Sequence, residues 1–152
     1  MKIRIEVEPE LKENEVIIRC ERIDESVVQL QNLLNKAEKE KKRIVFYKDD
    51  TEYYLPLEEV LFFETSGDQV WAHTCNDQFL VKYKLYELEA LLPKAFMRAS
   101  KSNILNSARV YSIERNLTAA SKVQFFDSHK TVYVSRIYYK ELKEKLSLSL
   151  GQ

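Results

Sequence analysis

The alternation of apolar and polar positions changes near residues 42–44 and divides the chain into two parts. In the first part, residues 2–8 alternate with period two, which is typical of a half-buried strand, and residues 15–21 are predicted to form the neighbouring strand. Residues 24–42 instead repeat their apolar positions at helical spacing. The pattern therefore predicts a strand–strand–helix unit over residues 1–42.

The predicted helix of this unit carries one apolar stripe, and Asp24 or Ser26 can cap its first turn. The stripe consists of Val27, Leu30, Leu33, Leu34 and Ala37. Such a stripe is buried either against the chain's own second part or against a second subunit, and the sequence leaves both arrangements open. The run of Lys and Glu over residues 36–43 is typical of a solvated helix end.

From residue 43 onward, short segments rich in Val, Ile, Phe and Tyr recur between polar pairs. This spacing is typical of short antiparallel strands joined by turns. The predicted strands are 43–47, 52–55, 61–64, 70–74, 79–81, 111–114, 122–126 and 131–134, and the predicted helices are 85–92 and 136–146. We therefore predict a mainly β (α+β) fold, with an antiparallel β domain over residues 43–148.

Composition and cysteine usage narrow the class of protein. A chain of 152 residues fits one domain, or a small domain with an appendage. No apolar run approaches the roughly 20 residues of a membrane helix, and the alternating start lacks the apolar core of a signal peptide. Cys20 and Cys75 lie far apart and do not indicate a disulfide framework. These features predict a cytoplasmic protein.

The formal charge is zero in total but unevenly distributed along the chain. Residues 94–145 contain eleven Lys and Arg against four Asp and Glu, a net charge of +7. Residues 1–93 contain 13 basic and 20 acidic residues, a net charge of −7. A basic region of this kind indicates a polyanionic partner, and nucleic acid is the partner we expect.

The inventory of catalytic side chains is small. His73 lies in the apolar segment Val70–His73, where a packed histidine is the usual interpretation, and His129 lies in a polar turn. The two His and two Cys lack the close spacing of a zinc site. Two glycines cannot build a phosphate-binding loop. We therefore predict a protein that is not an enzyme and uses no metal, cofactor or small-molecule substrate.

The segment Phe96–Asn106 combines two cations, two serines and two asparagines between apolar residues. Arg, Lys, Ser and Asn are side chains that contact phosphates and read base edges. The same residue types also cap and shape turns. The composition of the segment alone leaves both interpretations open, and the same holds for Arg136 at the start of the last predicted helix.

The order of four landmarks resembles the LytTR family of bacterial DNA-binding domains over roughly residues 44–146. The landmarks are Leu61-Phe62-Phe63-Glu64 before a polar turn, Leu85 to Leu92 with Phe96-Met97-Arg98, the run Ser100-Lys101-Ser102-Asn103-Ile104-Leu105-Asn106, and Val134-Ser135-Arg136 leading into Tyr139-Lys140. None is specific alone, but their order and spacing together are. The resemblance implies an elongated antiparallel β assembly whose loops, rather than a recognition helix, enter successive major grooves.

By position, the resemblance places DNA contacts in the turn at Gly67-Asp68-Gln69, in the loop Ser100 to Asn103, and around Arg136. Lys101 is the first candidate for a base or phosphate contact, and Arg136 is the second. The remaining candidates are Ser100 and Ser102 for phosphate oxygens, Asn103, Gln69 for a base, and Arg98 as a weaker candidate. The resemblance also implies that Arg98 could pair with an acid and that Asn106 serves the shape of the turn.

These observations predict a sequence-specific bacterial transcriptional regulator that binds duplex DNA as a homodimer. Residues 1–42 are too few for the receiver domain that many LytTR proteins carry, so promoter repeats would be read by a short, receiver-less chain. Resemblance alone suggests regulation by an accompanying membrane protein. The alternative is a protein-interaction module that uses the charge split for docking and does not bind DNA.

Overall fold

The structure, a computed structural model, describes residues 1–41 and 44–150. It divides the chain into two compact units, Met1–Glu38 and Lys39–Gln152. The predicted domain boundary falls on residues 42 and 43, which lie outside the described residues.

The predicted helix, α1, spans Glu25–Lys41, and most of it belongs to the first unit. Asp24 is its N-cap, because its Oδ1 accepts hydrogen bonds from the backbone N of Val27 at 3.0 Å and from Ser26 Oγ at 2.7 Å. These hydrogen bonds, that of Ser26 first, favour the charged carboxylate and hold the pKa of Asp24 below its usual value. Of the two caps that the sequence allowed, Asp24 is the one used.

The two strands predicted before α1 are absent, since residues 1–24 form no ladder in the described chain. The polar turn between them is present, with Leu11 N donating to Glu8 O at 3.1 Å. Ile3, Ile5 and Val7 on the first segment are exposed by 83% or more. An isolated pair of strands is marginal without a covered apolar face, which is why the period-two pattern does not produce a ladder in the single chain.

The second unit contains two antiparallel sheets. The larger consists of β1 (Phe46–Lys48), β2 (Thr51–Tyr53), β3 (Phe62–Ser66), β4 (Gln69–His73), β5 (Gln78–Val81), β6 (Phe96–Ser100) and β7 (Asn103–Asn106), in the order β2-β1-β5-β4-β3-β7-β6. The smaller consists of β8 (Val110–Glu114), β9 (Ser121–Phe125) and β10 (Thr131–Val134), in the order β10-β9-β8. The helices are α2 (Leu85–Leu91) and α3 (Arg136–Leu150), with short 3-10 turns at Leu57–Glu59 and Ser107–Arg109.

Two apolar cores lie on opposite faces of the larger sheet. Successive side chains of a strand point to opposite faces, so Phe63 enters the core on the α2 side while its neighbour Phe62 enters the core shared with the smaller sheet and α3. Ile104 and Leu105 of β7 divide in the same way. The central strands of the larger sheet are therefore covered on both faces.

The mainly β fold with antiparallel strands is confirmed, and most predicted strands agree within one or two residues. Besides the two absent strands before α1, one further prediction was wrong. No strand was predicted between residues 92 and 111 and Ser100 to Asn103 was expected to be a loop, whereas β6 and β7 form a hairpin with only Lys101 and Ser102 at its tip. Polar side chains at Arg98, Ser100 and Asn103 hid the period-two pattern. No helix among the described residues is long and apolar enough to cross a membrane.

Candidate nucleic-acid interface

The antiparallel registers bring all three predicted contact loops to one end of the sheets, which we call the loop end. The turn between β3 and β4 lies there, and Thr65 N donates to Ser102 O at 2.9 Å beside it. The tip of the β6–β7 hairpin is therefore the neighbour of that turn. Ser135 N donates to Ala99 O at 2.8 Å, which attaches the start of α3 to the other side of the same hairpin.

The β3–β4 turn is a tight reversal at Gly67 and Asp68, between the paired residues Ser66 and Gln69. Gly67 has a φ of 63°, a left-handed conformation that suits glycine. Asp68 and Gln69 are both exposed. The turn therefore presents an amide and a carboxylate side by side, and only the amide is compatible with a nearby phosphate.

The β6–β7 tip is held by hydrogen bonds among its own polar side chains. Ser100 Oγ accepts from Ser102 N at 3.2 Å and from Asn103 Nδ2 at 3.1 Å. A shift of register between Arg98 and Ser100 marks a bulge just before the tip. Lys101 is exposed at the apex. Ser100 and Asn103 thus fix the shape of the turn, and Lys101 extends from it into solvent.

Arg136 is the first residue of α3 and is exposed. The helix begins here because Tyr138 N and Tyr139 N both donate to Ser135 O at 3.1 Å. The backbone of Ser135 is bound on one side to β6 and on the other to the first turn of α3. Arg136 is consequently placed next to the Lys101 tip by main-chain contacts rather than by its own side chain.

Arg98 is a predicted contact residue whose side chain is not exposed at the loop end. Its Nε lies 3.0 Å from Glu89 Oε1 of α2, and its side chain is 23% exposed. Its Nη1 is buried without a hydrogen-bond partner. It lines a cavity of about 250 Å³ with Tyr138 and Lys145. The geometry gives Arg98 a role in joining β6 to α2.

Asn106 has the shaping role that the resemblance implied. It is 2% exposed, its Nδ2 donates to Val60 O at 3.0 Å, and its Oδ1 accepts from Ala108 N at 3.1 Å. Both ends of its amide are therefore satisfied by backbone groups. These bonds fix the path of the chain from β7 into the following 3-10 turn.

Two exposed cations at the loop end were missed from the sequence. Val81 pairs with Val70, so Lys82 follows β5 at the same end as Gln69, and its Nζ lies 4.3 Å from the centre of the Tyr47 ring. Arg115 follows β8 at this end too, and its Cζ lies 5.0 Å from the centre of the Tyr139 ring. Only strand pairing reveals these positions, because nothing local in the sequence distinguishes them from other surface cations.

The opposite end of the sheets has its cations engaged by acidic and carbonyl oxygens. Lys48 Nζ lies 2.6 Å from Asp77 Oδ2, and this bond raises the pKa of Lys48 and lowers that of Asp77. Lys130 donates to the carbonyl oxygen of Asp77 and lies 3.3 Å from His73 Nδ1. His73 Nε2 lies 2.7 Å from Glu64 Oε1. These contacts tie the β9–β10 loop to the larger sheet, whereas Lys101 and Arg136 at the loop end are exposed.

His73 is a packed histidine, as the sequence predicted. It is 8% exposed and stacks on Phe62 with ring centres 4.4 Å apart. Burial lowers its pKa, while Glu64 opposes that shift. With Lys130 facing Nδ1, the neutral ring accepts there and donates from Nε2 to Glu64.

Comparisons with known proteins agree with this arrangement. The sequence profile of the LytTr DNA-binding domain family matches residues 50–147. A protein of Staphylococcus aureus strain NCTC 8325, named as an HTH-type transcriptional regulator, is 30% identical over 148 residues, covering 97% of this chain and 99% of its own. A protein of the same description from the bovine strain RF122 is 32% identical over 151 residues, with the same coverage.

One solved structure has a similar fold. It is the LytTr DNA-binding domain of a methyl-accepting/DNA response regulator from Bacillus cereus, with a TM-score of 0.62 and 23% identity. The match covers 68% of this chain and 95% of that one. The helix-turn-helix of the relatives' names has no counterpart in the described part of this fold, where β6 to β10 separate α2 from α3 along the chain.

Proposed function

Since the chain belongs to the LytTR family of bacterial DNA-binding transcriptional regulators, we propose that it reads duplex DNA with the row of loops at the loop end of its sheets. The observation that carries this proposal is the adjacency of Gln69, Lys101 and Arg136, which are distant in sequence and are brought side by side by strand pairing. A loop row of this kind enters the major groove without a recognition helix.

The side chains of the row have different proposed roles. Lys101 extends from a rigid tip and contacts a phosphate or a base edge, and Arg136 offers a planar fork for a guanine or a phosphate. Ser100, Ser102 and Asn103 hold the tip and contribute hydroxyl and amide groups to phosphate oxygens. Gln69 reaches a base from the neighbouring turn.

Arg98 contributes to the proposed interface indirectly. Its ion pair with Glu89 holds β6, the strand that carries the Lys101 tip, against α2. The side chain therefore positions the tip.

The assembly that we propose is a cytoplasmic homodimer on promoter repeats. Two tethered modules bind repeated half-sites with an effective concentration that one module lacks. A membrane protein that accompanies the regulator and controls it is part of the same proposal, and it rests on the family resemblance.

The first test is the Lys101→Ala variant in a gel shift with the DNA upstream of the protein's own gene, at several salt concentrations. Removing one phosphate contact should weaken binding and reduce the slope of log K against log[salt] by about 0.9. Lys48→Ala is the matched control, because Lys48 lies at the opposite end of the sheet and pairs with Asp77.

Lys48→Ala should bind with wild-type affinity and salt dependence. If Lys101→Ala bound with unchanged affinity and slope, the assignment of Lys101 to the interface would be wrong. If the wild-type protein bound no DNA at low salt yet bound a protein partner tightly, the protein-interaction alternative would replace the proposal.

A further inference from the structure

The first unit exposes an unusual amount of aliphatic surface. Ten Ile, Leu and Val side chains are exposed there: Ile3, Ile5, Val7, Leu11, Val16, Ile17, Ile23, Val28, Leu33 and Leu34. Burying one such side chain contributes about 2.5 kcal/mol, which at about 25 cal/mol per Å² corresponds to about 100 Å² of apolar surface. With an allowance for the part already covered, the ten sum to roughly 700 Å², close to the roughly 800 Å² that each partner contributes to a standard interface. Exposed aliphatic surface of that amount on so short a segment is typical of a surface that a partner covers.

We propose that a second copy of this chain covers this surface, and that residues 2–8 of the two copies pair as antiparallel strands across a two-fold axis at Ile5. This inference rests on the homodimer of the proposed function and assigns its interface. The backbone of residues 2–8 has no ladder partner within the described chain, so its donors and acceptors are free to form one.

The sequence of this segment is complementary to itself in that register. Antiparallel pairing about Ile5 sets Lys2 opposite Glu8 and Arg4 opposite Glu6 of the second copy. It also sets Ile3 opposite Val7, and Ile5 opposite its own equivalent. A two-fold interface needs such a self-complementary patch, and directly opposed charges and aliphatic pairs are the contacts that stabilise a ladder.

Other registers lose this complementarity. Centring the pair on Arg4 opposes two arginines, and centring it on Glu6 opposes two glutamates. The second predicted strand, residues 15–21, is not self-complementary, because pairing about Ile18 opposes Glu15 to Glu21. The pattern of charges therefore selects one segment and one register.

The same pairing creates one charged face and one apolar face. Ile3, Ile5 and Val7 of both copies share a face, since directly opposed residues point the same way. The remaining aliphatic residues of each first unit, on residues 16–23 and on α1, supply the cover that a two-stranded ribbon needs. Pairing with a second copy thus accounts both for the absence of a ladder in residues 2–8 of the single chain and for the exposed aliphatic side chains.

The test uses charge reversal in the full-length protein. Arg4→Glu opposes two glutamates at both symmetric positions, and Glu6→Arg opposes two arginines. Each variant alone should dimerise about tenfold more weakly than the wild type, measured by sedimentation velocity at low salt. An equimolar mixture of the two variants should regain near-wild-type association, because position 4 of each chain then faces the opposite charge at position 6 of the other chain.

A second variant tests the apolar axis of the same interface. Ile5→Asp places two carboxylates against each other and should give monomers. Ile137→Asp is the matched control, because Ile137 is also 85% exposed but lies on α3, and it should leave the dimer intact. Far-ultraviolet circular dichroism confirms that each variant retains its folded second unit.

The outcomes separate this interface from the proposed function. A wild-type dimer that tolerates Arg4→Glu, Glu6→Arg and Ile5→Asp would overturn the interface and leave the proposed homodimer standing. A mixture of the two charge variants no better than either alone would overturn the register. A wild-type protein that is monomeric at all micromolar concentrations would overturn both the interface and the homodimer, while binding of a single half-site would still report on the loop row.

Discussion

At the scale of single residues, the fold separates cations that carry structure from cations that face solvent. Lys101 and Arg136 are exposed at the loop end and are placed by main-chain contacts. Arg98 lies on the same hairpin as Lys101 but pairs with Glu89 on α2. The sequence is compatible with both roles for Arg98, because the partner acid belongs to a helix whose orientation only the fold determines.

Replacement of Arg98 by Met distinguishes the two roles. Met keeps the apolar stem and removes the ion pair with Glu89, which is half exposed, so the free energy of unfolding should change by no more than about 1 kcal/mol. The salt slope of DNA binding should not change, since no phosphate contact is lost. Chemical denaturation and a salt-dependent gel shift measure the two effects. A slope reduced as far as that of Lys101→Ala would place Arg98 on the DNA.

At the scale of elements, the strands with clear alternation were predictable and the hairpin that carries the Lys101 tip was not. The strand Thr131–Val134 matches its prediction at both ends. In β6 and β7, polar side chains occupy positions that pair with α2 or shape the tip, so the local pattern resembles a loop. Local patterns could not predict that the three proposed contact loops lie side by side. Their adjacency depends on β7 pairing with β3, which is distant in sequence, as well as with its neighbour β6.

We predict that the stability of the fold depends on pH through His73, which lies where the β9–β10 loop meets the larger sheet. Burial lowers the pKa of His73 in the folded state below the unfolded value of 6.5, so the unfolded chain binds more protons below that pH. The stability that His73 contributes is complete above about pH 6.5 and is lost as the pH falls, by at most about 1.4 kcal/mol per unit. Thermal unfolding at about pH 5.5 and about pH 7.5 should show a smaller decrease for His73→Gln than for the wild type. Equal decreases would remove His73 as the cause.

At the scale of the whole molecule, the proposed dimer interface and the proposed DNA contacts belong to separate units of the chain, and this separation can be measured. Ile5→Asp should bind a DNA fragment with one half-site as well as the wild type does. On a fragment with two half-sites it should lose the gain from tethering, which is on the order of 10² or more. Fluorescence anisotropy with the two fragments provides the comparison. Equal losses on both fragments would show that the first unit takes part in DNA contact itself.

The strand order of the larger sheet has a consequence for how the protein gains its activity. Gln69, Lys101 and Arg136 become neighbours only after β7 has paired with β3 and β10 has reached β6, and these are long-range steps that fold more slowly than local hairpins. Trp71, the single tryptophan, lies on β4 opposite Glu64 of β3 and reports on the centre of that sheet. The proposed contact row is therefore complete only after residue 136 has left the ribosome. We expect that partly folded chains do not bind promoter DNA.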